Sequence, residues 1–201
     1  MQNPKLSKDE VARAALRILD EMGLPDLTMR RLAADLNVRP SALYWYFPNK
    51  QTLLADLADR IVTQGRPAEL VTGWDEQLRL VALALRDSLL AYRDSAEIVS
   101  SSLALGLGEN PAHSTLRDAL DSSPFDAEMT QRAAATMLHF ILGHVSLEQQ
   151  RIQYDSLGAL SGEPVMLRME SCAGAFRFGV DTIISGLKQH SLAHPTATPG
   201  E

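Results

Sequence analysis

VRPSALYWYFPNK, at residues 38–50, is the stretch on which the interpretation of this chain depends. Three aromatic rings follow one another there, Tyr44, Trp45 and Tyr46, in a chain of 201 residues that is only 5% aromatic. Neighbouring side chains on a helix point in different directions, so one core cannot bury all three rings. We therefore expect part of this ring cluster to face a binding partner.

The bulk composition is typical of a folded, soluble protein with a sizeable core, at 45% apolar and 22% charged residues. No apolar run reaches the roughly 20 residues of a membrane span, and the N-terminal MQNPKLSKDE lacks the order of a signal peptide. We expect a cytoplasmic protein with no membrane contact. The single cysteine, Cys172, excludes an intrachain disulfide and a cysteine-rich zinc site, and its apolar surroundings favour a small buried side chain.

The net charge of −6 is unevenly divided along the chain. Residues 1–66 hold ten Lys and Arg against eight Asp and Glu, whereas the remainder holds nine against seventeen. A slightly basic segment joined to an acidic one indicates a nucleic-acid-facing part attached to a part with a different role.

Local capping signals predict the first two helices. Ser7 and Glu10 have the spacing of a capping box, and the apolar period that follows ends at Gly23, which predicts a helix over about 7–22. Thr28 can cap a second helix, MRRLAADL.

The opening stretch then supplies a turn and a third helix. Asn37 tolerates the left-handed conformation of a tight turn, and Pro40 suits the first position of a helix because it lacks an N–H group. Pro48 ends that helix, and Asn49 caps a fourth. Helices two and three have the spacing of a helix-turn-helix, so helix three is the candidate helix for reading DNA.

Longer helical patterns fill the remainder, and no β-alternating run of convincing length occurs, so the predicted fold is all-α. Helices are expected at 74–92, near 94–105, at STLRDALD, and at 126–152 and 164–188. GLGENP at residues 106–111 follows no strand and contains no phosphate-binding lysine, so it is interpreted as a loop.

The expected organisation has three parts. Residues 1–66 form a three-helix DNA-binding domain of the helix-turn-helix type, residues 67–190 form a ligand-binding and dimerisation domain, and residues 191–201 form a disordered tail. The segment at 65–73 serves as the linker or bend between the two domains.

The stretch LTMRRLAADLNVRPSALYWYFPNKQTLLADLADRIV resembles the DNA-binding domain of the tetracycline-repressor (TetR) family, above all in LTMRRLA, LYWYF and the NK that opens helix four. WDEQLRLVALALRDSLLAYRDSAEIV and HFILGHVSLEQQ resemble the ligand-binding domain of the tetracycline repressor and its nearer relatives. The resemblance implies a homodimeric repressor that binds double-stranded operator DNA and is released by a small-molecule effector.

Carried over by motif, the resemblance also implies which residues contact DNA. These are Thr28, Arg30, Arg39, Pro40, Ser41, Tyr44, Trp45, Tyr46 and Lys50. Three alternatives stay open: Tyr44 and Trp45 are half-buried between helices one, three and four, Arg39 is a solvated side chain beside an uncapped helix, or Arg30 and Arg31 form a solvated face.

The same resemblance predicts a pocket without a metal or other cofactor. Val81, Leu85 and Val99 stand where the tetracycline repressor has a polar amide, an aromatic ring and a metal-binding histidine, and Leu147 stands at the carboxylate position, with Glu148 next to it. We therefore expect a hydrophobic effector with few polar groups. The expected lining is Leu78, Val81, Leu85, Val99, Leu103, Met137, Phe140, Ile141 and His144.

Two helical stripes are expected to form the dimer interface as a four-helix bundle with their mates. The first stripe is Ala133, Ala134, Met137, Phe140, Ile141 and Val145, and the second is Ala173, Gly174, Phe176, Phe178, Gly179 and Ile183. The alternative is that these residues only close the core of one subunit.

A competing hypothesis is an all-α enzyme or small-molecule carrier that binds no operator. No Ser/His/Asp order, HExxH motif or phosphate-binding loop supports it. His139 and His144 lie five positions apart and do not share the helix face that a metal pair needs, so core or pocket-lining roles are favoured.

Overall fold

The structure is a computed structural model that describes residues 6–65, 67, 71–156 and 165–193, without the side chains of 165–169 and 193. Within these ranges the chain forms nine α-helices and no β-strand. The all-α fold class is therefore confirmed.

Four helices form the part called the head below. They are α1 (Lys8–Met22), α2 (Met29–Asp35), α3 (Pro40–Leu43) and α4 (Lys50–Gln64). Their local signals act as predicted: the Ser7 hydroxyl accepts the Glu10 N–H at 3.2 Å, and the Asn49 side chain accepts the Thr52 N–H at 2.8 Å. Asn37 has the left-handed conformation expected of the turn, with φ of 52°.

Five helices form the part called the body. They are α5 (Trp74–Leu90), α6 (Ser95–Leu105), α7 (Pro111–Asp118), α8 (Ala127–Ser156) and α9 (Val165–Ala193). Helix α7 begins at Pro111 rather than Ser114 because the Asn110 side chain caps it by accepting the His113 N–H. The expectation of disorder from residue 191 is wrong for the end of α9, and residues 194–201 lie outside the described residues.

Head and body share one buried apolar cluster that runs from α1 to α9. The two parts meet where α4 packs against α5, α6 and α7. At the end of α4, a Cβ atom on Gly65 would lie 2.4 Å from Ser88 Cβ, so only glycine permits this close approach of α4 and α5. The expected linker at 65–73 lies partly outside the described residues, and the domain boundaries stay a prediction.

Within the described ranges, no helix has an apolar stretch long enough to cross a membrane.

Candidate nucleic-acid interface and effector region

Helix α3 divides its side chains between the head core and solvent. Leu43 and Phe47 are 0% and 1% exposed. The N–H groups of Tyr46 and Phe47 both donate to the Leu43 carbonyl at 2.9 Å, so the chain turns tightly directly after the helix. Tyr44 and Trp45 are held outside this core, with 48% and 89% of their surface exposed. The alternative that Trp45 packs between helices is therefore wrong, and the rings at 44 and 45 face outward.

Tyr46 differs from the two rings before it. Its side chain is half-buried, and its hydroxyl donates to the Leu6 carbonyl. This contact ties Leu6, two residues before α1, to the turn that follows α3. The hydroxyl of Tyr46 is thus used inside the head, and a DNA contact from this residue stays a prediction.

The cationic side chains near α3 are of two kinds. Arg30 and Arg39 are exposed and pair with no acidic group among the described residues, and Arg39 makes no capping hydrogen bond to α3. Arg31 lies 3.2 Å from Asp26, while Lys50 donates to the Leu24 carbonyl at 3.4 Å. Unpaired guanidinium groups beside exposed rings are suited to contact phosphates and base edges.

The residues expected to contact DNA lie on the start of α2, on α3 with its following turn, and on the start of α4. All of them except Tyr46 and Lys50 are solvent-exposed: Thr28, Arg30, Arg39, Pro40, Ser41, Tyr44 and Trp45. We call these seven residues the reading surface. Thr28 also has a structural role, because its hydroxyl accepts the Arg31 N–H at 3.1 Å and caps α2.

The expected pocket residues of α5 and α8 are brought together in the body. Leu78, Val81, Leu85, Met137 and Ile141 are each at most 2% exposed and belong to the shared core.

An aromatic cluster flanks these aliphatic residues. Phe140 lies 5.5 Å from Phe176 and 5.7 Å from His144 between ring centroids, and the His144 and Phe176 rings are 5.2 Å apart. His144 Nε2 also lies 3.2 Å from the Cys172 carbonyl. The histidine therefore has a specific place between α8 and α9.

A buried ion pair lies in the same region, and the sequence analysis missed it. Glu148 is 4% exposed and accepts two hydrogen bonds from Arg86, at 2.6 Å and 3.1 Å. The Arg86 guanidinium also stacks 5.4 Å from the Phe176 ring centre. Leu147, expected at an inward position, is instead 59% exposed. The body interior thus holds a bidentate charged pair. Its sequence signal was weak, because each of the two helices carries other charged residues as well.

Val99 and Leu103 lie apart from the other expected pocket residues. They line a cleft of about 10 Å³ at the boundary with the head, where Ala58 and Val62 of α4 form the opposite wall. The expected lining therefore divides into a group inside the body and a group that contacts α4.

No three metal-binding side chains converge anywhere in the described part of the chain. Val99, which is predicted to stand at the position of a metal-binding histidine, has a hydrocarbon side chain, and Glu148 is paired with Arg86. These residues do not fit a magnesium site, which requires several oxygen ligands.

Asp94 joins the head, α6 and α8. It precedes α6 with φ of 55° and uses neither carboxylate oxygen to cap that helix. One oxygen accepts the Leu24 N–H of the head at 2.7 Å, and the other accepts from Gln153 Nε2 of α8 at 2.5 Å. This carboxylate is a direct polar connection between the head and the longest helix of the body.

The structure corrects the expected dimer stripes. Five residues of the first stripe, Ala133, Ala134, Met137, Ile141 and Val145, are at most 2% exposed within one subunit, so they close its core.

The second stripe is mixed. Phe176 is fully buried, and a Cβ atom on Gly179 would lie 2.2 Å from the Phe140 ring. Phe178, in contrast, is 73% exposed, and the Cβ position of Gly174 is open. On α8, Gly143 and Leu147 lie one turn apart among the exposed positions.

Two family models match this chain. The model described as bacterial regulatory proteins, tetR family, matches residues 11–57, and the model described as tetracyclin repressor-like, C-terminal domain, matches residues 66–174. Among curated relatives, the tetracycline repressor protein class E of Escherichia coli is 34% identical over 197 residues, which cover 90% of each chain.

Solved structures give the same assignment. Mycobacterium smegmatis BioQ has a TM-score of 0.82 at 39% identity, over 92% of this chain and 99% of that one. BioQ with its natural double-stranded DNA operator has a TM-score of 0.74 at 37% identity, over 91% and 98%. TetR from Acinetobacter baumannii AYE, as a variant in complex with minocycline, has a TM-score of 0.73 at 30% identity, over 96% and 100%.

Proposed function

This chain belongs to the tetR family of bacterial regulatory proteins, and from that premise we propose that its reading surface binds a palindromic operator, from which a largely apolar effector releases it. The protein is a ligand-responsive DNA-binding repressor, not an enzyme. Its partners are operator DNA, a small molecule and a second copy of the chain. Since its target is DNA, we place it in the cytoplasm.

The observation that supports the operator proposal most strongly is the position of Trp45. A ring that is 89% exposed costs hydration free energy in the absence of a partner, and here it points outward between two buried residues, Leu43 and Phe47. Ser41 lies on α3 and Arg39 directly precedes it, and small or cationic side chains there permit close approach to base edges. Arg39 also leaves the helix uncapped, a local weakness that a phosphate or base contact would offset.

A homodimer presents two such surfaces related by a two-fold axis. Major grooves on one side of B-DNA recur about every 34–36 Å, so the two α3 helices should lie at that spacing and the operator should be an inverted repeat. We propose that the mate covers the exposed face of α8 and α9, which includes Gly143, Leu147, Gly174 and Phe178. The two glycines permit close helix contact, and the two apolar side chains supply area to bury.

The effector proposal rests on the interior of the body. Leu78, Val81, Leu85, Met137 and Ile141 offer an apolar lining, so the effector should be mainly apolar and should bind without a metal. The ion pair of Arg86 and Glu148 is the one polar feature that we add to the expected lining. Release then follows from a population shift, in which the effector binds best to a conformation whose two reading surfaces are wrongly spaced.

The proposal is tested by selecting duplexes from a random double-stranded library with the full-length protein. Inverted repeats should be enriched, with Kd values in the range of about 10⁻⁸–10⁻¹¹ M at physiological salt. Trp45→Ala should weaken the enrichment. Glu97→Gln, an exposed position of α6 outside both the head and the proposed dimer face, serves as the control in the same selection. Failure of the wild-type protein to enrich any sequence would refute the proposal and favour a carrier that binds no operator.

A further inference from the structure

The loop between α6 and α7 has a backbone shape that its sequence alone did not explain. Gly106, Gly108 and Asn110 all have positive φ, at 64°, 78° and 50°. Alternating left-handed residues turn successive N–H groups toward one side of a loop, which makes a concave site for an anionic group. The loop lies against α4 of the head, and both Ala58 and Asp59 of that helix line the cleft beside it.

The anionic group at this loop is the side chain of Asp59. Its carboxylate accepts the Glu109 N–H at 2.9 Å, and the Asn110 N–H is a second donor. A Cβ atom on Gly108 would lie 2.9 Å from the same carboxylate oxygen, so glycine is needed both for its φ and for the space. The three residues Gly108, Glu109 and Asn110 thus form a fitted receptor for one carboxylate.

The contact is also made against an electrostatic cost. Burial raises the pKa of Asp59, and the neighbouring acidic groups of Glu109 and Asp56 raise it further, while the two N–H donors lower it. An aspartate beside an open surface groove could avoid burial by turning to water. Its position against the loop instead indicates that the two N–H groups hold it there.

The other charged contacts of α4 stay within the head. Arg60 pairs with Asp56 and Asp9 at 2.6 Å and 2.5 Å, and Lys8 pairs with Asp56 at 2.6 Å. Asp59 therefore differs from Asp56, one turn away on α4: the partners of Asp59 belong to the body, whereas those of Asp56 belong to the head.

We propose that Asp59 is a positioning residue, which ties α4 to the loop at 106–110 and so holds each head in an orientation that fits DNA. The inference rests on the proposed function, since head orientation matters only if two heads must fit one operator. Loss of the tie would let each head sample orientations that do not fit DNA, and apparent affinity falls in proportion to the competent fraction.

The test compares three substitutions with the wild-type dimer. Asp59→Ala removes the acceptor, Asp59→Asn keeps one oxygen that can accept an N–H, and Asp56→Ala removes a carboxylate of the same helix whose partners lie in the head. Amide hydrogen exchange at Glu109 and Asn110 reports the contact directly. Spin labels at Glu21→Cys in a Cys172→Ala background report the head-to-head distance, and anisotropy reports operator affinity.

We expect Asp59→Ala to speed exchange at both amides, broaden the distance distribution and weaken operator binding by about tenfold. Asp59→Asn should restore most of each property. Asp56→Ala should lower the melting temperature but leave exchange in the loop and the distance distribution unchanged. Unchanged loop exchange in Asp59→Ala would overturn the inference, as would equal broadening by Asp56→Ala.

The exchange and distance measurements use protein without DNA, so they test the tie separately from the function. A wild-type protein that enriches no operator refutes the proposed function alone. A wild-type protein that binds its operator, together with an Asp59→Ala variant of wild-type affinity and distance distribution, refutes the positioning role alone.

Discussion

Removal of the Arg86 guanidinium is expected to be one of the most destabilising single changes in the body. Arg86→Met would leave the Glu148 carboxylate 4% exposed and without the two hydrogen bonds, at 2.6 Å and 3.1 Å, that now satisfy it. An uncompensated buried charge of this kind costs about 3–5 kcal/mol. Glu148→Gln should cost less, about 1–3 kcal/mol, because Arg86 keeps a second acceptor in Asp87 at 3.3 Å.

The double variant Arg86→Met with Glu148→Leu distinguishes the charge from the space that it fills. Replacing both partners by apolar side chains removes the desolvation cost together with the attraction, so its stability should lie near that of wild type or above it. The single variant Glu148→Leu completes the double-mutant cycle. Urea unfolding at one fixed protein concentration measures the free energies of the wild type, the three single variants and the double variant, since dimer stability depends on concentration. A cost below about 1 kcal/mol for Arg86→Met would refute the reasoning, and so would additive costs in the double variant.

Three further predictions follow from single features. Trp45→Ala should change the free energy of unfolding by no more than about 0.5 kcal/mol but weaken operator binding by about 1–3 kcal/mol. Leu43→Ala, a change in the core, should instead lower the free energy of unfolding by about 2–5 kcal/mol. A melting curve measures the effect on stability and an anisotropy titration measures the effect on binding. Phe178→Arg should give a folded monomer by analytical ultracentrifugation, and a surviving dimer would mean that the mate covers another face. Because burial raises the pKa of Asp59, the wild type should gain stability relative to Asp59→Asn as the pH falls toward the ordinary pKa of 3.8. Urea unfolding of both proteins at neutral and acidic pH measures this gain. The same stability difference at both pH values would mean that the Asp59 carboxylate is solvated.

The effector pocket gives one more expected outcome. Calorimetry with tetracycline and Mg²⁺ should show no chelator-sensitive binding at micromolar concentration, because Val99 cannot ligate a metal and Glu148 is held by Arg86. Tight binding that a chelator abolishes would contradict the metal-free pocket.

Features with short-range causes could be predicted from the sequence. The capping box of Ser7 and Glu10 and the left-handed turn at Asn37 involve residues at most three positions apart, and each occurs in the structure as expected. The outward rings followed from a simple limit, since one short helix cannot bury three neighbours.

Features that depend on distant contacts could not be predicted. The ion pair joins residues 62 positions apart, and the Asp59 contact spans 50 positions. Helix α8 is apolar on more than one side, so its sequence does not say which side faces the core. Successive residues of a helix are rotated by about 100°, so a small error in the assumed orientation of α8 decides whether Leu147 or Glu148 is expected to point inward. The same uncertainty about the orientation of α8 led to the core-facing stripe being assigned to the dimer interface.

The central claim is that this dimer reads a specific operator through the surface built around α3. The most direct measurement is an anisotropy titration, at one salt concentration, of the selected operator and of a duplex with the same bases in scrambled order. We predict saturation at one dimer per operator and a preference over the scrambled duplex of at least about 10³. Equal affinity for the two duplexes would contradict the account, because the binding would then depend on phosphate charge alone.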